Sequence, residues 1–222
     1  MSAAPAIPIL APPPRTRLSS TDRREQLISH AIERFSQRGF SGTRTKDIAA
    51  ACGVSEGILF RHFATKEDLY NAILDSHAST AGSREWMLEM KRHAATRDDA
   101  GLILSLVEHL IGSFRDDAAF HRLMLYAWLE GHSLADMMQS QLGLPVFDFL
   151  RKYVVLRQRE GAFRAGDAGI LVMALFSPPL QFAMSKYIFG APWIQSADEP
   201  AVQEFARFLL SGIRAKAKTK KK

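Results

Sequence analysis

Apolar residues recur at helical spacing along almost the whole chain, and no stretch alternates in polarity long enough to predict a strand. A first helix is expected to open near Ser20 or Thr21, with Asp22 and Glu25 in its first turn, where unpaired backbone N–H groups favour acids. Leu27, Ile28, Ala31, Ile32 and Phe35 form its apolar stripe, and Gly39 supplies a left-handed end with Phe40 folding back onto the helix. The elements then shorten. A helix from about Thr45 to Cys52 is broken by Gly53, and another, capped by Ser55, covers Glu56 to His62. Thr65 and Asp68 approximate a capping box for a fourth helix carrying Leu69, Tyr70, Ala72, Ile73 and Leu74, which Gly82 ends or bends. Longer helices are predicted near 84–94, 100–115, 117–131, 133–142, 145–160, 167–189 and 198–215. Asp98 and Asp99, Asp116 and Asp117, Gly131, Gly143 to Pro145, Gly161 to Gly166 and Gly190 to Pro200 mark the breaks between them. The pattern predicts an all-α chain, and the lack of any fixed-period repeat argues against a solenoid.

Composition narrows the class. At 222 residues and 24.8 kDa the chain can bury a core without metal or disulfide help, and 47% hydrophobic with 23% charged residues excludes a disordered or fibrous protein. The formal charge is +6, but Arg214 to Lys222 holds six of the 29 basic residues and no acid, so the rest is neutral. Net charge therefore makes no case for nucleic-acid binding. The single cysteine, Cys52, excludes an internal disulfide or a CxxC zinc site and reads as a small core residue. The first 18 residues hold five of the ten prolines and lack a basic start, which predicts an extension rather than an export signal and a cytoplasmic protein. Ala168 to Ser185 is uncharged, but Gly169, Pro178, Pro179 and Gln181 interrupt it, so it is expected to be a buried interface helix rather than a membrane span. Without GxSxG, HExxH, GxGxxG, a P-loop or a metal-spaced cluster, no enzyme, cofactor or metal site is expected.

The informative segment runs from Thr45 to Phe63. Two short helices flank a tight turn at Gly53, with Ala49 small where they cross and Ile48, Cys52, Val54, Leu59 and Phe63 facing inward. That spacing predicts a helix-turn-helix, in which the second helix enters the major groove. A helix of two turns is too short to stand alone and has to rest on the first helix and on Phe63.

This segment resembles the TetR family of bacterial transcriptional regulators. The likeness runs from the first helix through Gly39-Phe40, Asp47-Ile48-Ala49, Gly53-Val54-Ser55, Gly57, Leu59-Phe60, His62-Phe63 and Lys66-Glu67-Asp68-Leu69. It implies a homodimer reading a palindromic double-stranded operator, organised as an extension (1–18), a helix-turn-helix domain (19–65), a helical effector-binding and dimerisation domain (66–213) and a basic tail (214–222). By position, it implies that Thr43, Thr45 and Lys46 meet phosphate and that Lys66 does so at the start of helix four. It places Ser55, Glu56, Gly57, Ile58, Phe60, Arg61 and His62 on the recognition helix. Arg61 is favoured for base readout, because a guanidinium bonds guanine O6 and N7 together. Three positions depart from the family pattern: Phe60 lacks the hydroxyl of the usual tyrosine, Glu56 sets an acid near DNA, and Arg44 replaces a capping Ser or Thr.

In the same family the later helices hold an effector pocket and a dimer interface. Leu102, Ile103, Leu104, Leu106, Val107, Leu110 and Ile111 are too apolar all round for a single-faced helix, so they belong inside a multi-helix layer. Trp86, Met90, Val107, Leu110, His121, Met124, Trp128, Phe149, Tyr153 and Met173 are the candidate pocket for a small, largely apolar effector, with His121 its polar member. Leu180, Met184, Val202, Phe205, Leu209 and Ile213 are the candidate dimer interface, on a helix kinked by Pro178 and Pro179 and on the last helix. The alternative readings are a regulator answering to a protein partner or to no ligand and, after these, a helical enzyme.

Overall fold

In a computed structural model of the protein, residues 18–78 and 81–215 are described. The expected extension and basic tail lie outside them, except for Leu18, Arg214 and Ala215. Among the described residues eleven α-helices succeed one another: α1 (Ser20–Arg38), α2 (Thr45–Ala51), α3 (Glu56–His62), α4 (Lys66–Ala78), α5 (Ala81–Ala95), α6 (Asp99–Asp116), α7 (Ala118–Leu129), α8 (Ser133–Met138), α9 (Leu144–Arg159), α10 (Ala168–Ala183) and α11 (Asp198–Ile213). Among the described residues the extended pairing is one antiparallel bridge, Phe163 with Arg214.

Local chemistry explains most boundaries. Ser19, one residue before the expected start, caps α1: its hydroxyl accepts from Asp22 N–H at 3.1 Å, and the Asp22 carboxylate accepts from Ser19 N–H at 3.3 Å. Thr65 and Asp68 make the same reciprocal pair at the head of α4. Asp98, Asp117 and Asp167 each accept a backbone N–H of the first turn of α6, α7 and α10. Two expected breaks differ. Gly82 lies in the first turn of α5 rather than ending a helix. Gly143 to Pro145 do not separate α8 from α9, because the π turn Gln139–Gly143 joins them into one rod. The wider ring suits Pro145, which has no N–H to donate. A second π turn, Met184–Ile188, extends α10 after its two prolines.

Two apolar cores result. The first joins Leu27, Ala31 and Phe35 of α1, Ile48 and Leu59 of the short helices and Leu69, Tyr70 and Ile73 of α4 to Phe120, Leu123, Met124 and Ala127 of α7 and Ala135 of α8. The second gathers Met90, Leu102, Leu106, Val107, Leu150, Val154, Val172, Leu175 and Leu209 from α5, α6, α9, α10 and α11. A buried polar lock fixes the head of α6 to α9: Asp99 accepts from Tyr153 Oη at 2.6 Å and from Arg157 at 2.8 and 2.7 Å. Arg157 also pairs with Glu160, which binds Arg97. With each polar group partnered, burial of these charges is compensated.

The expected effector pocket does not form as one site. Trp86, Met90, Val107, Leu110, Phe149 and Tyr153 lie in or against the second core, whereas Met124 is buried in the first and Trp128 and Met173 face outward. His121 stacks at 3.7 Å on Phe114, a member of the second core. Apolar residue type marks core membership, not convergence. An open groove of about 1040 Å³ lies elsewhere, lined by Gln158, Phe163, Arg164, Gly166, Ser211 and Arg214.

Half of the expected dimer residues are internal. Val202, Leu209 and Ile213 are buried on the face of α11 that packs along α6, so the periodic stripe of the last helix is satisfied by its own chain. Leu180, Met184 and Phe205 are half-buried against the same core. The outward apolar residues of this pair are Ile170, Met173 and Phe208. Ala168–Ile188 is long and apolar enough to cross a membrane, with mean hydropathy 1.5, and its inner face packs against α6, α9 and α11.

Candidate nucleic-acid interface

The turn between α2 and α3 is made by the backbone. Cys52 N–H reaches Ile48 and Ala49 carbonyls, Gly53 N–H reaches Ala50 at 3.0 Å, and Val54 N–H reaches Ala49 at 3.0 Å. Gly53 has φ +67°, left-handed backbone that a side chain would strain. Of the inward set, Ile48, Cys52, Leu59 and Phe63 are buried, as is Ala49 at the crossing, whereas Val54 is half-buried against the same core. Burial also pushes the Cys52 thiol above its ordinary pKa, leaving it a poor nucleophile.

With Leu59 and Phe63 turned inward, α3 turns Glu56, Gly57, Phe60 and Arg61 outward, and Lys46 and Ser55 are exposed beside them. Thr45, Ile58 and His62 are half-exposed at the margin. Phe60 leaves 43% of its surface in solvent. Neither short helix is closed by a side chain: Arg44 makes no cap, and the Ser55 hydroxyl, expected to cap α3, makes no capping bond either. Gly57 has ordinary helical backbone, and its nearest neighbour to a built Cβ is the Ser55 hydroxyl at 3.9 Å, so the fold itself does not demand a glycine there. From behind, α1 braces the unit. Arg23 donates to Gln26 and to the Cys52 carbonyl, and Arg24 lies over the Phe63 ring at 5.0 Å.

Two expected phosphate contacts are redirected into the protein. Thr43 is buried, and its hydroxyl donates to the carbonyls of Gly39 at 2.8 Å and Arg34 at 3.2 Å, closing the end of α1. Lys66 bends onto the Phe40 carbonyl, with its ammonium 4.1 Å from the centre of the Phe40 ring. Burial lowers its pKa, opposed by Glu67 and Glu130.

Lys66 belongs to a socket around Phe40 that sequence reasoning missed. Glu130, after the end of α7, accepts from Phe40 N–H at 3.0 Å. His132 and Tyr70 set their rings 4.5 and 5.0 Å from Phe40, and Phe35 stacks behind it. Gly39, at φ +67°, has no room for a side chain, because a Cβ would come within 2.4 Å of Glu130 Oε1. Burial pushes the His132 imidazole below its ordinary pKa, against the pull of Glu130 and Glu67. Burial and Glu130 raise the Tyr70 hydroxyl far above its ordinary pKa, and among the described residues that hydroxyl has no hydrogen-bond partner. Glu130 lies ninety residues along the chain from Phe40, so no local motif announces it.

Residues 27–73 match the family model for bacterial regulatory proteins of the tetR family, and this span contains both short helices and the socket residues Phe35, Phe40, Lys66 and Tyr70. Through this segment the chain is similar to the TetR family of regulators. Two relatives are the HTH-type transcriptional activator FasR of Mycolicibacterium smegmatis, 31% identical over 110 residues (49% of this chain, 48% of FasR), and the HTH-type transcriptional repressor Rv3405c of Mycobacterium tuberculosis, 37% identical over 79 residues (31% and 42%). The chain thus spans less than half the length of either. The fold extends further: the ketosteroid transcriptional regulator KstR2 of Mycobacterium tuberculosis superposes with a TM-score of 0.62 at 18% identity, over 90% of this chain and 98% of KstR2.

Proposed function

We propose that this TetR-family protein is a transcription regulator that binds double-stranded operator DNA as a homodimer, inserting α3 into the major groove and setting Lys46 against phosphate. The observation that carries the reading is the outward strip of Glu56, Gly57, Phe60 and Arg61, held rigid from behind by buried Leu59 and Phe63. Gly57 adds to it: a glycine in a helix costs roughly 1 kcal/mol relative to alanine, and the protein has room for a methyl group there. Close approach of an outside partner gives that position a reason. Arg61, exposed near the end of α3, is the base reader, while Ser55, Ile58, Phe60 and His62 shape the contact. The two copies meet through the outer faces of α10 and α11, where Ile170, Met173 and Phe208 are exposed and Leu180, Met184 and Phe205 lie half-buried beside them. The apolar helix α10 thereby belongs to a subunit interface in a cytoplasmic, non-enzymatic regulator rather than to a membrane.

Its output is repression, relieved when a small apolar effector opens the second core between Trp86, Met90, Leu110 and Phe149. The name of KstR2, a ketosteroid regulator, is consistent with an apolar effector. An effector moves the DNA equilibrium only by its differential affinity for the two conformations. A second reading, control by a protein partner, is favoured by the packed state of the expected pocket together with the exposed Phe189 and Trp193. The decisive experiment enriches duplexes from a random pool with the full chain. A two-fold symmetric motif is expected, and Arg61→Ala should relax the preference at one base pair of each half-site. Equal retention of all sequences would overturn the reading.

A further inference from the structure

The first residues of α2 and α3 are tied together. Thr45 Oγ1 donates to Glu56 Oε1 at 2.5 Å, across the turn and on the outward strip. Among the described residues no lysine, arginine or histidine pairs with Glu56, although Lys46 and Arg61 share the same face. A bare carboxylate there opposes binding to a polyanion, so on any DNA it weakens the general phosphate attraction. The same group has an advantage only against a hydrogen-bond donor on a base edge. The major groove offers two such donors, the N4 amine of cytosine and the N6 amine of adenine, and adenine places the acceptor N7 next to its amine. Thr45 occupies Oε1, which leaves Oε2 as the free acceptor. An acceptor-only group suits cytosine, whereas guanine O6 and N7, thymine O4 and adenine N7 all repel it.

We infer that Glu56 discriminates for cytosine in the operator half-site by accepting from the N4 amine through Oε2, and that Thr45 is its positioning residue. This rests on the DNA-reading role proposed for α3. A free glutamate would lose rotamer freedom on contact, and the Thr45 hydroxyl has already fixed it. Thr45 therefore spends its proton inside the protein instead of on a phosphate. Gly57, flush and without a side chain, leaves the approach to Glu56 open.

The test is enrichment of random duplexes by the full-length protein and three variants, each first checked for an unchanged helical spectrum and melting curve. The wild-type chain should favour cytosine at one base pair per half-site by about five- to tenfold, the range for a contact worth roughly 1 kcal/mol or a little more. Glu56→Gln keeps the side-chain length and an acceptor for Thr45 but adds an amide donor. Its preference at that one base pair should move to adenine, whose N6 and N7 an amide matches, and its affinity for random duplex should rise. Glu56→Ala should bring the four bases at that position to parity. Thr45→Val should keep cytosine first with a reduced margin. An unchanged motif in both Glu56→Gln and Glu56→Ala overturns the inference while leaving the DNA-reading role standing. Absence of any motif from the wild-type chain overturns that role, and the inference with it.

Discussion

The outward strip of α3 and the socket around Phe40 use similar residues to opposite ends. Each has a phenylalanine, a lysine and a glutamate. On the strip, Phe60 is exposed, Lys46 projects into solvent and Glu56 has one partner, a hydroxyl. In the socket, Phe40 is held by four rings or cations and by both of its backbone polar groups, and Lys66 and Glu130 are spent holding it. Residue type is thus a poor guide to role within this motif. The deciding variable is whether a distant element has come to meet the side chain. The turn between α7 and α8 reaches the socket, and among the described residues no element covers the strip.

The two phenylalanines give the largest contrast. Phe40→Ala should cost about 2–4 kcal/mol of folding stability, somewhat less than a fully buried aromatic, while Phe60→Ala should leave chemical denaturation unchanged and weaken DNA binding. Similar denaturation midpoints for the two variants would erase the distinction. The lysines come next. Lys46→Ala should weaken binding to all duplexes and flatten the salt dependence by about one counterion. Lys66→Ala should lower the melting temperature and leave the salt slope nearly as it was, and a slope change equal to that of Lys46→Ala would return Lys66 to the phosphate side.

Smaller effects sharpen the socket. Tyr70 is fully buried with an unpartnered hydroxyl, so Tyr70→Phe should be neutral or stabilising by up to about 1 kcal/mol, since no hydrogen bond is lost and a desolvation cost disappears. A clear loss in urea denaturation would mean that the hydroxyl has a partner after all. The weakest signal is pH. The folded-state pKa of His132 lies below the ordinary 6.5, so the unfolded chain takes up the proton first on acidification. Stability is then full above pH 6.5 and declines as pH falls below it. His109, half-buried and stacked on Trp86 at 3.8 Å, adds to the decline with the same sign. The lowered carboxyls Asp98 and Asp198 lose their contributions only below their ordinary 3.8. Melts at pH 7.5 and 5.5 isolate the histidine window, and His132→Phe should narrow the gap between them.

What the sequence revealed and what it hid follow from range. Leu59, Phe63 and Gly53 were legible because the turn and the helix period that place them lie within ten residues. Thr43 was misassigned because its hydroxyl answers carbonyls at the end of α1, an arrangement that depends on how the loop folds back. Lys66 and Glu130 meet Phe40 across 26 and 90 residues, beyond the reach of any motif. The stripe on α11 showed correctly that one face is buried but could not show by what, and α6 of the same chain fills it. The pocket failed for a related reason: Met124, Met173 and Tyr153 share softness or aromaticity but not a location.

The rod made by α8, the π turn and α9 has a consequence for tolerated chain length. A π turn carries one residue more than the helix around it needs. Deleting one residue from 139–143 would remove that surplus and let the backbone close into ordinary α geometry with the flanking helices kept nearly in phase. Leu150, Tyr153 and Val154 would stay on the second core, and Tyr153 on Asp99. A one-residue deletion at 145–149, in the regular turns of α9, should be far more damaging, because those turns hold no residue to spare and the loss turns everything downstream by about 100°.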